Sequence, residues 1–210
     1  MIELELKYEI KNIPSSIKKL EIIKQKQQED IYYDTNNYDL IQGGNFLRIR
    51  NKKRLEFKLF AGDKSHLFCQ ETDFDLDKIG TNQEQINNIL SAINLKTIKD
   101  LNDFNQIVNT NNLKILAPIK KHRTSYKYNE NSTISIDEVD NLGLFLEAEI
   151  MIDKETLSKE EANNIKEEFI NDLKNSKILT DNEKQVNIGY VELYLLKYNK
   201  EAYNLGIYKI

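Results

Sequence analysis

Several chemistries are excluded by what this chain of 210 residues has little of. Its one cysteine, Cys69, rules out an internal disulfide, and a cytoplasmic setting is the simplest expectation. One cysteine and two histidines, His66 and His122, argue against a zinc site of the usual kind. Cys69 has no histidine close in sequence to activate it, so it reads as a small packing residue. No segment reaches the roughly 20 consecutive apolar residues of a membrane span, and the N-terminus has no charged-then-apolar secretory pattern. A net charge of −4 gives no global argument for binding nucleic acid or a membrane, and neither is expected as a partner. Two prolines, seven glycines and no repeat or low-complexity tract leave nothing that divides the chain. One domain over residues 1–210 is therefore expected, long enough to bury a core.

What is present is charge, at 30% of residues, in phase with strands. The opening run alternates Glu3, Glu5 and Lys7 with Ile2, Leu4 and Leu6. Strand side chains alternate between faces, so two carboxylates and an ammonium share one face and three aliphatics the other. The pattern predicts further strands at Ile31–Tyr33, Phe46–Arg50, Leu55–Phe60, His66–Asp75, Leu113–Ile119, Arg123–Tyr128, Thr133–Val139 and Leu144–Ile152. Pro14 with Ser15 and Ser16 starts a short amphipathic helix carrying Ile17, Leu20 and Ile23, with Lys24-Gln25-Lys26 as its solvated face. Helical spacing returns at Gln83–Ile93 and Leu101–Val108. Ser158 and Glu161 fit a capping box before a helix whose apolar face includes Ala162, Ile165, Phe169 and Leu173. A last helix is expected at about Val186–Tyr198.

The in-phase polar residues gather into acids (Glu3, Glu5, Glu56, Glu71, Asp73, Asp137, Glu147, Glu149) and bases (Lys7, Arg48, Arg50, Lys58, Lys121, Arg123). For any one strand, a solvated outer face is the simplest explanation, since an antiparallel sheet turns one face to water. Together they suggest more. Clustered cations repel unless an anion sits among them, and clustered acids repel unless a cation does. A sheet closed into a barrel would bring both sets around one cavity, and a polyphosphate with a magnesium- or manganese-type ion satisfies both. Phosphoryl transfer uses this combination. His122 falls out of phase with Arg123, and Tyr32 and Tyr33 read as packing and rim residues.

The same residues resemble the CYTH (cyclase–thiamine triphosphatase) family, the triphosphate tunnel metalloenzymes. Glu3-Leu4-Glu5-Leu6-Lys7 matches its ExExK motif. The likeness continues through Tyr32-Tyr33-Asp34-Thr35, Leu47-Arg48-Ile49-Arg50, Glu56-Phe57-Lys58, Glu71-Thr72-Asp73, Lys121-His122-Arg123, Ile136-Asp137 and Leu142-Gly143, to Phe145-Leu146-Glu147-Ala148-Glu149. It covers about Met1 to Ile152, and a helical tail like the family's follows at about 158–200, where Tyr190 is read as helix packing. The ordered set is specific where ExExK alone is not.

The resemblance implies an α+β, mainly antiparallel fold, a closed eight-stranded barrel with helices outside, forming a tunnel. It implies Mg2+ or Mn2+ held by Glu3, Glu5, Glu147 and Glu149, with Asp137 a weaker candidate. Triphosphate contacts fall on Lys7, Arg48, Arg50, Lys58, Lys121 and Arg123, with Glu71 and Asp73 in support. No general base is assigned, and a homodimer is left open. The implied activity is metal-dependent hydrolysis of a triphosphate compound: tripolyphosphate, thiamine triphosphate or a nucleoside triphosphate. The alternatives are a class IV-type adenylate cyclase making cyclic AMP and pyrophosphate, and a non-catalytic polyphosphate- or nucleotide-binding module.

Overall fold

The computed structural model describes residues 2–60 and 69–209. Met1, His66 and the side chain of Cys69 lie outside the described residues. The chain divides into two compact units: Met1–Gln27 with Lys121–Asn187, and Gln28–Lys120 with Ile188–Ile210. Among the described residues there are nine strands: β1 (Ile2–Ile10), β2 (Glu21–Asp34), β3 (Phe46–Arg50), β4 (Arg54–Phe60), β5 (Cys69–Asp75), β6 (Lys114–Lys127), β7 (Ser132–Val139), β8 (Gly143–Ile152) and β9 (Lys184–Gln185). The helices are α1 (Asp39–Gln42), α2 (Gln83–Ala92), α3 (Phe104–Asn111), α4 (Lys159–Asn175), α5 (Tyr190–Tyr198) and α6 (Lys200–Leu205), with 3-10 turns at Ser15–Lys19 and Leu76–Asn82. The unit boundaries fall inside β2 and inside β6.

In the first unit the strand order is β6-β7-β8-β1-β9, with these neighbours antiparallel. Glu5 sits opposite Glu149, Lys7 opposite Glu147, and Asp137 opposite Arg123. The register is set by the other face. Leu6, Ile134, Ile136, Leu146 and Ala148 all point to a core shared with Phe169 and Leu173 of α4. A slip of one residue would turn the charges into that apolar core and the aliphatics onto the polar face. Each fully buried aliphatic contributes roughly 1.5–3 kcal/mol. The turn from β7 into β8 requires left-handed backbone at Asn141 (φ 62°) and Gly143 (φ 125°), which suits asparagine and glycine. The Ser158 hydroxyl accepts from the Glu161 amide at 3.2 Å, and the Glu161 carboxylate accepts from the Ser158 amide at 3.0 Å. The expected capping box is present.

In the second unit the order is β5-β4-β3-β2, again antiparallel. Leu47, Ile49, Leu55, Phe57 and Phe74 face Ile86, Leu90 and Ile107 of α2 and α3. The opposite face carries Asp30, Tyr32, Arg48, Arg50, Glu56 and Lys58, as strand alternation dictates. Asp34, fully buried, accepts the amides of Thr35 and Leu40 through one oxygen (2.7 and 2.9 Å) and of Ile41 through the other (3.1 Å). It thereby caps α1, whose own N-cap residue, Tyr38, makes no side-chain cap. Asp34→Ala should lower unfolding free energy by at least about 2 kcal/mol, because buried amides left without an acceptor cost about 1–3 kcal/mol each. Thermal unfolding beside Asp34→Asn, which keeps one oxygen, checks this; equal melting temperatures for wild type and Asp34→Ala would refute it.

Three expectations need correction, and the fold expectation holds in part: the fold is α+β and rich in antiparallel sheet, while the pairing among the described residues does not close into a ring. The helix expected around Ile17–Ile23 is a 3-10 turn ending at Lys19, because Leu20 turns extended (φ −87°, ψ 150°) and leads into β2. Lys24-Gln25-Lys26 is therefore strand, and Ile22 and Ile23 are about half exposed on it. The break expected between Ile119 and Arg123 does not exist: β6 runs unbroken through Lys120-Lys121-His122, since Lys121 and Arg123 keep the phase of Ala117 and Ile119. The last helix begins at Tyr190, because Val186 stays extended with its amide donating to the Lys7 carbonyl at 2.8 Å.

Candidate functional site

The solvated-face explanation fails first on burial. On the polar face of the first unit, Asp137 is fully buried, Glu147 is 3% exposed, Lys121 8% and Lys7 9%. A face left to water would not bury four charges, since each costs several kcal/mol to desolvate without partners.

The partners are present and alternate in sign. Lys121 Nζ lies 2.6 Å from Asp137 Oδ2, and Arg123 forks onto both oxygens of the same carboxylate, at 2.6 Å through Nε and 2.5 Å through Nη2. Arg123 also pairs with Glu147 and, at 3.6 Å, with Glu149. Lys7 lies 3.1 Å from Glu5 and 3.4 Å from Glu147. Burial disfavours the Lys7 ammonium, but Glu5 and Glu147 more than offset it and hold its pKa above the ordinary lysine value. Lys121 goes the other way: burial lowers its pKa and Arg123 adds to that, against Glu147 and Asp137.

A second group stands on this face. One oxygen from each of Glu3, Glu5 and Glu149 lies within 4.8 Å of the others. Register explains it: Glu5 and Glu149 are directly opposed across β1 and β8, and Glu3 is the next residue in phase. The Thr133 hydroxyl steadies Glu149 at 3.2 Å. Burial first, then the charges of Glu3, Glu147 and Glu5, push the Glu149 carboxyl up to about 7, with Arg123 opposing. Three oxygen donors with excess negative charge fit a hard divalent cation such as Mg2+ or Mn2+ rather than zinc or copper. Lys166 of α4 is the nearby cation that the sequence did not reveal; burial lowers its pKa, and Glu5 opposes that.

Proton and metal should compete at Glu149. Its folded pKa of about 7 exceeds the ordinary 4.5, so the folded state keeps a proton that the unfolded state releases. That contribution to stability is present at low pH and is lost as pH rises through about 7. A bound divalent ion removes the penalty, so the rise in melting temperature produced by magnesium or manganese should be larger at pH 8 than at pH 6. A rise that is equal at the two pH values would refute this.

In the second unit the arginines are held by acids and a phenol. Arg48 donates to Glu56 (Nε, 2.8 Å) and to the Tyr32 hydroxyl (Nη1, 2.7 Å). Arg50 forks onto Asp30 at 2.8 and 3.0 Å and reaches Glu56 at 3.2 Å. Burial raises the Asp30 carboxyl, but Arg50 and Arg48, with a hydrogen bond from Gln28, hold it below the ordinary range. Lys58 pairs with Glu71 at 3.1 Å, and burial of Glu71 is outweighed by Lys58, so its pKa is lowered. Asp73 pairs instead with Arg54, both about half exposed.

The structure thus brings Glu3, Glu5 and Glu149 together as a possible ligand set, and places Glu147 and Asp137 in ion pairs with Lys7, Lys121 and Arg123. Arg48, Arg50, Lys58 and Glu71 share one polar face of their own unit. Asp30 and the Tyr32 hydroxyl were missed as partners of the arginines. The signal was there, since Asp30, Tyr32 and Asp34 alternate, but β2 begins ten residues before the strand expected from Ile31. His122 lies opposite Glu138 in β6, on the other face from Arg123.

The model of the CYTH domain matches residues 1–184. The chain belongs to the CYTH family. A protein of Methanocaldococcus jannaschii, provisionally named an adenylate cyclase, is 34% identical over 198 residues, covering 92% of this chain and 98% of that one. The solved structure of the PH1819 protein from Pyrococcus horikoshii is similar in fold (TM-score 0.61, 22% identity), covering 93% of this CYTH chain and 99% of its own. So is a Hippeastrum protein, TM-score 0.59 and 16% identity, covering 94% and 96%, which is named as an adenylyl cyclase with a dominant triphosphatase activity. No described helix of this CYTH protein is long and apolar enough to cross a membrane.

Proposed function

We propose that this CYTH protein hydrolyses a triphosphate compound with the help of Mg2+ or Mn2+. The observation that carries the reading is the Glu3, Glu5 and Glu149 carboxylate group standing on the same face as buried Lys7 and Lys121 and mostly buried Arg123. Glu3, Glu5 and Glu149 would hold the ion. When bound, it neutralises phosphate oxygens as a Lewis acid. Lys7, Lys121 and Arg123 are oriented in advance by Glu147 and Asp137, so they need little reorganisation to meet an anion. Arg48 and Arg50, fixed by Glu56, Asp30 and Tyr32, with Lys58, supply further cations for the phosphates. The closed barrel that the resemblance implies is part of this proposal.

Adenylate cyclase is the second reading, favoured by the name of the archaeal relative, as the triphosphatase activity named for the Hippeastrum protein favours the first. The test incubates the protein with tripolyphosphate, thiamine triphosphate and ATP in magnesium or manganese and assays phosphate, pyrophosphate and cyclic AMP together. Phosphate release is expected. Cyclic AMP as the main product would replace hydrolysis by cyclisation, and no product from any substrate would defeat both.

A further inference from the structure

Two acids hold the two arginines of the second unit, and they are placed differently. Glu56 lies opposite Arg48 on the neighbouring strand, and both guanidiniums reach its Oε2. Asp30 lies opposite Arg50 and is withdrawn from solvent: its side chain is 5% exposed, those of Arg48 and Arg50 19% and 25%. Asp30 Oδ1 accepts from Arg50 Nε at 2.8 Å. Asp30 Oδ2 accepts from Arg50 Nη2 at 3.0 Å and lies 3.6 Å from Arg48 Nη1. The same Oδ2 takes a further donor, Nε2 of Gln28, at 2.7 Å.

Gln28 precedes Asp30 by two positions on β2, so strand alternation puts both on one face, and both are buried. Asp30 is held below the ordinary carboxylate range and so is ionised, an acceptor only, which turns the NH2 end of the Gln28 amide toward it. A neutral donor fixes the carboxylate without neutralising it. A lysine or arginine in its place would compete with Arg50 for Asp30. An aliphatic residue would free Oδ2 to rotate toward Arg48, whose Nη1 is within ion-pair reach.

We propose that Gln28 is a positioning residue: through Asp30 it sets the direction in which Arg50, and more weakly Arg48, present their N–H groups to an anion. This rests on the triphosphate reading above and adds to it a buried residue that acts on the phosphates only through its neighbours.

The test compares wild type, Gln28→Leu and Gln28→Glu in KM and kcat for whichever of tripolyphosphate, thiamine triphosphate and ATP the wild type turns over fastest. The rise in melting temperature given by tripolyphosphate with magnesium is a readout that needs no turnover, and the melting curve without ligand reports folding. In Gln28→Leu, KM should rise about tenfold with kcat nearly unchanged, the scale of one hydrogen bond to a charged group. The tripolyphosphate melting shift should shrink with it. Gln28→Glu is nearly the same size, and its new carboxyl faces Asp30. Two facing carboxylates share a proton, so at about pH 5 the new carboxyl is protonated and donates to Oδ2 as the amide did, and at about pH 8 the pair repels. KM in Gln28→Glu should therefore be close to wild type at low pH and diverge upward as pH rises, while the Gln28→Leu ratio stays level. A purely structural role would lower the melting temperature without this pH-dependent divergence. If Gln28→Leu does not fold at the assay temperature, Gln28→Glu decides.

A wild-type KM and melting shift in Gln28→Leu, or a KM ratio in Gln28→Glu that does not change with pH, would overturn the proposal and leave triphosphate hydrolysis standing. Absence of wild-type turnover, with a tripolyphosphate melting shift that Gln28→Leu weakens, would overturn the hydrolase reading and keep the Gln28 assignment. Neither turnover nor a melting shift in the wild type would overturn both.

Discussion

Asp137→Ala should cost about 3–5 kcal/mol of stability, the usual loss when one partner of a buried ion pair is removed. Asp137 is fully buried and takes both Lys121 and Arg123, so the truncation removes the 2.6 Å partner of buried Lys121 and the two-oxygen acceptor of Arg123, which keeps Glu147 and the longer contact to Glu149 among its ion pairs. In urea, with a slope of about 1–3 kcal/mol per molar, the unfolding midpoint should drop by more than about 1 M. Asp73→Ala provides the comparison. Asp73 and Arg54 are each about half exposed, and exposed pairs contribute about 0–1 kcal/mol. The two carboxylates look alike in sequence, each in phase on a strand beside bases. Equal midpoints for the two variants would refute the buried network as a source of stability.

Glu149→Gln is expected to separate metal binding from folding. It removes one of three convergent carboxylates, so affinity for Mg2+ or Mn2+ should fall by at least about a hundredfold, the upper end of losses seen for outer-shell partners. Metal-dependent triphosphate turnover should fall with it. Stability without metal should hold or rise above pH 7, because the substitution relieves the repulsion that pushes Glu149 up to about 7. Glu147→Gln should do the reverse in part, losing stability outright, because Glu147 is buried between Lys7 and Arg123. Titration calorimetry with manganese and a metal-free melting curve for each variant read the two effects. Metal affinity in Glu149→Gln close to wild type would remove the ligand assignment.

The residue pattern carried the polar faces. Once Leu4, Leu6, Ile134, Ile136 and Leu146 must reach one core, strand alternation forces Glu3, Glu5, Asp137, Glu147 and Glu149 to the other side. The strands Phe46–Arg50 and Arg54–Phe60 and the capped helix α4 were legible for the same reason, a local period joined to local punctuation. The start of β2 was not. Its first seven residues, Glu21 to Gln27, include no buried position, so no buried apolar alternation marks them. Unbroken β6 was hidden likewise, because the apolar alternation stops at Ile119 and Lys120-Lys121-His122 carries none, although Lys121 is buried on Asp137.

For the site, the sequence by itself determined which charges share a face, because a period of two is a property of the extended chain. The tertiary structure decided their division of labour. The acids that the resemblance groups together separate into three whose oxygens converge, Glu3, Glu5 and Glu149, and two held in close ion pairs by Lys7, Lys121 and Arg123, Glu147 and Asp137. That division depends on cross-strand register and on burial. Both are set by partners on other strands, from Arg123 opposite Asp137 to Glu149 opposite Glu5, and neither can be read from the spacing of residues along one strand.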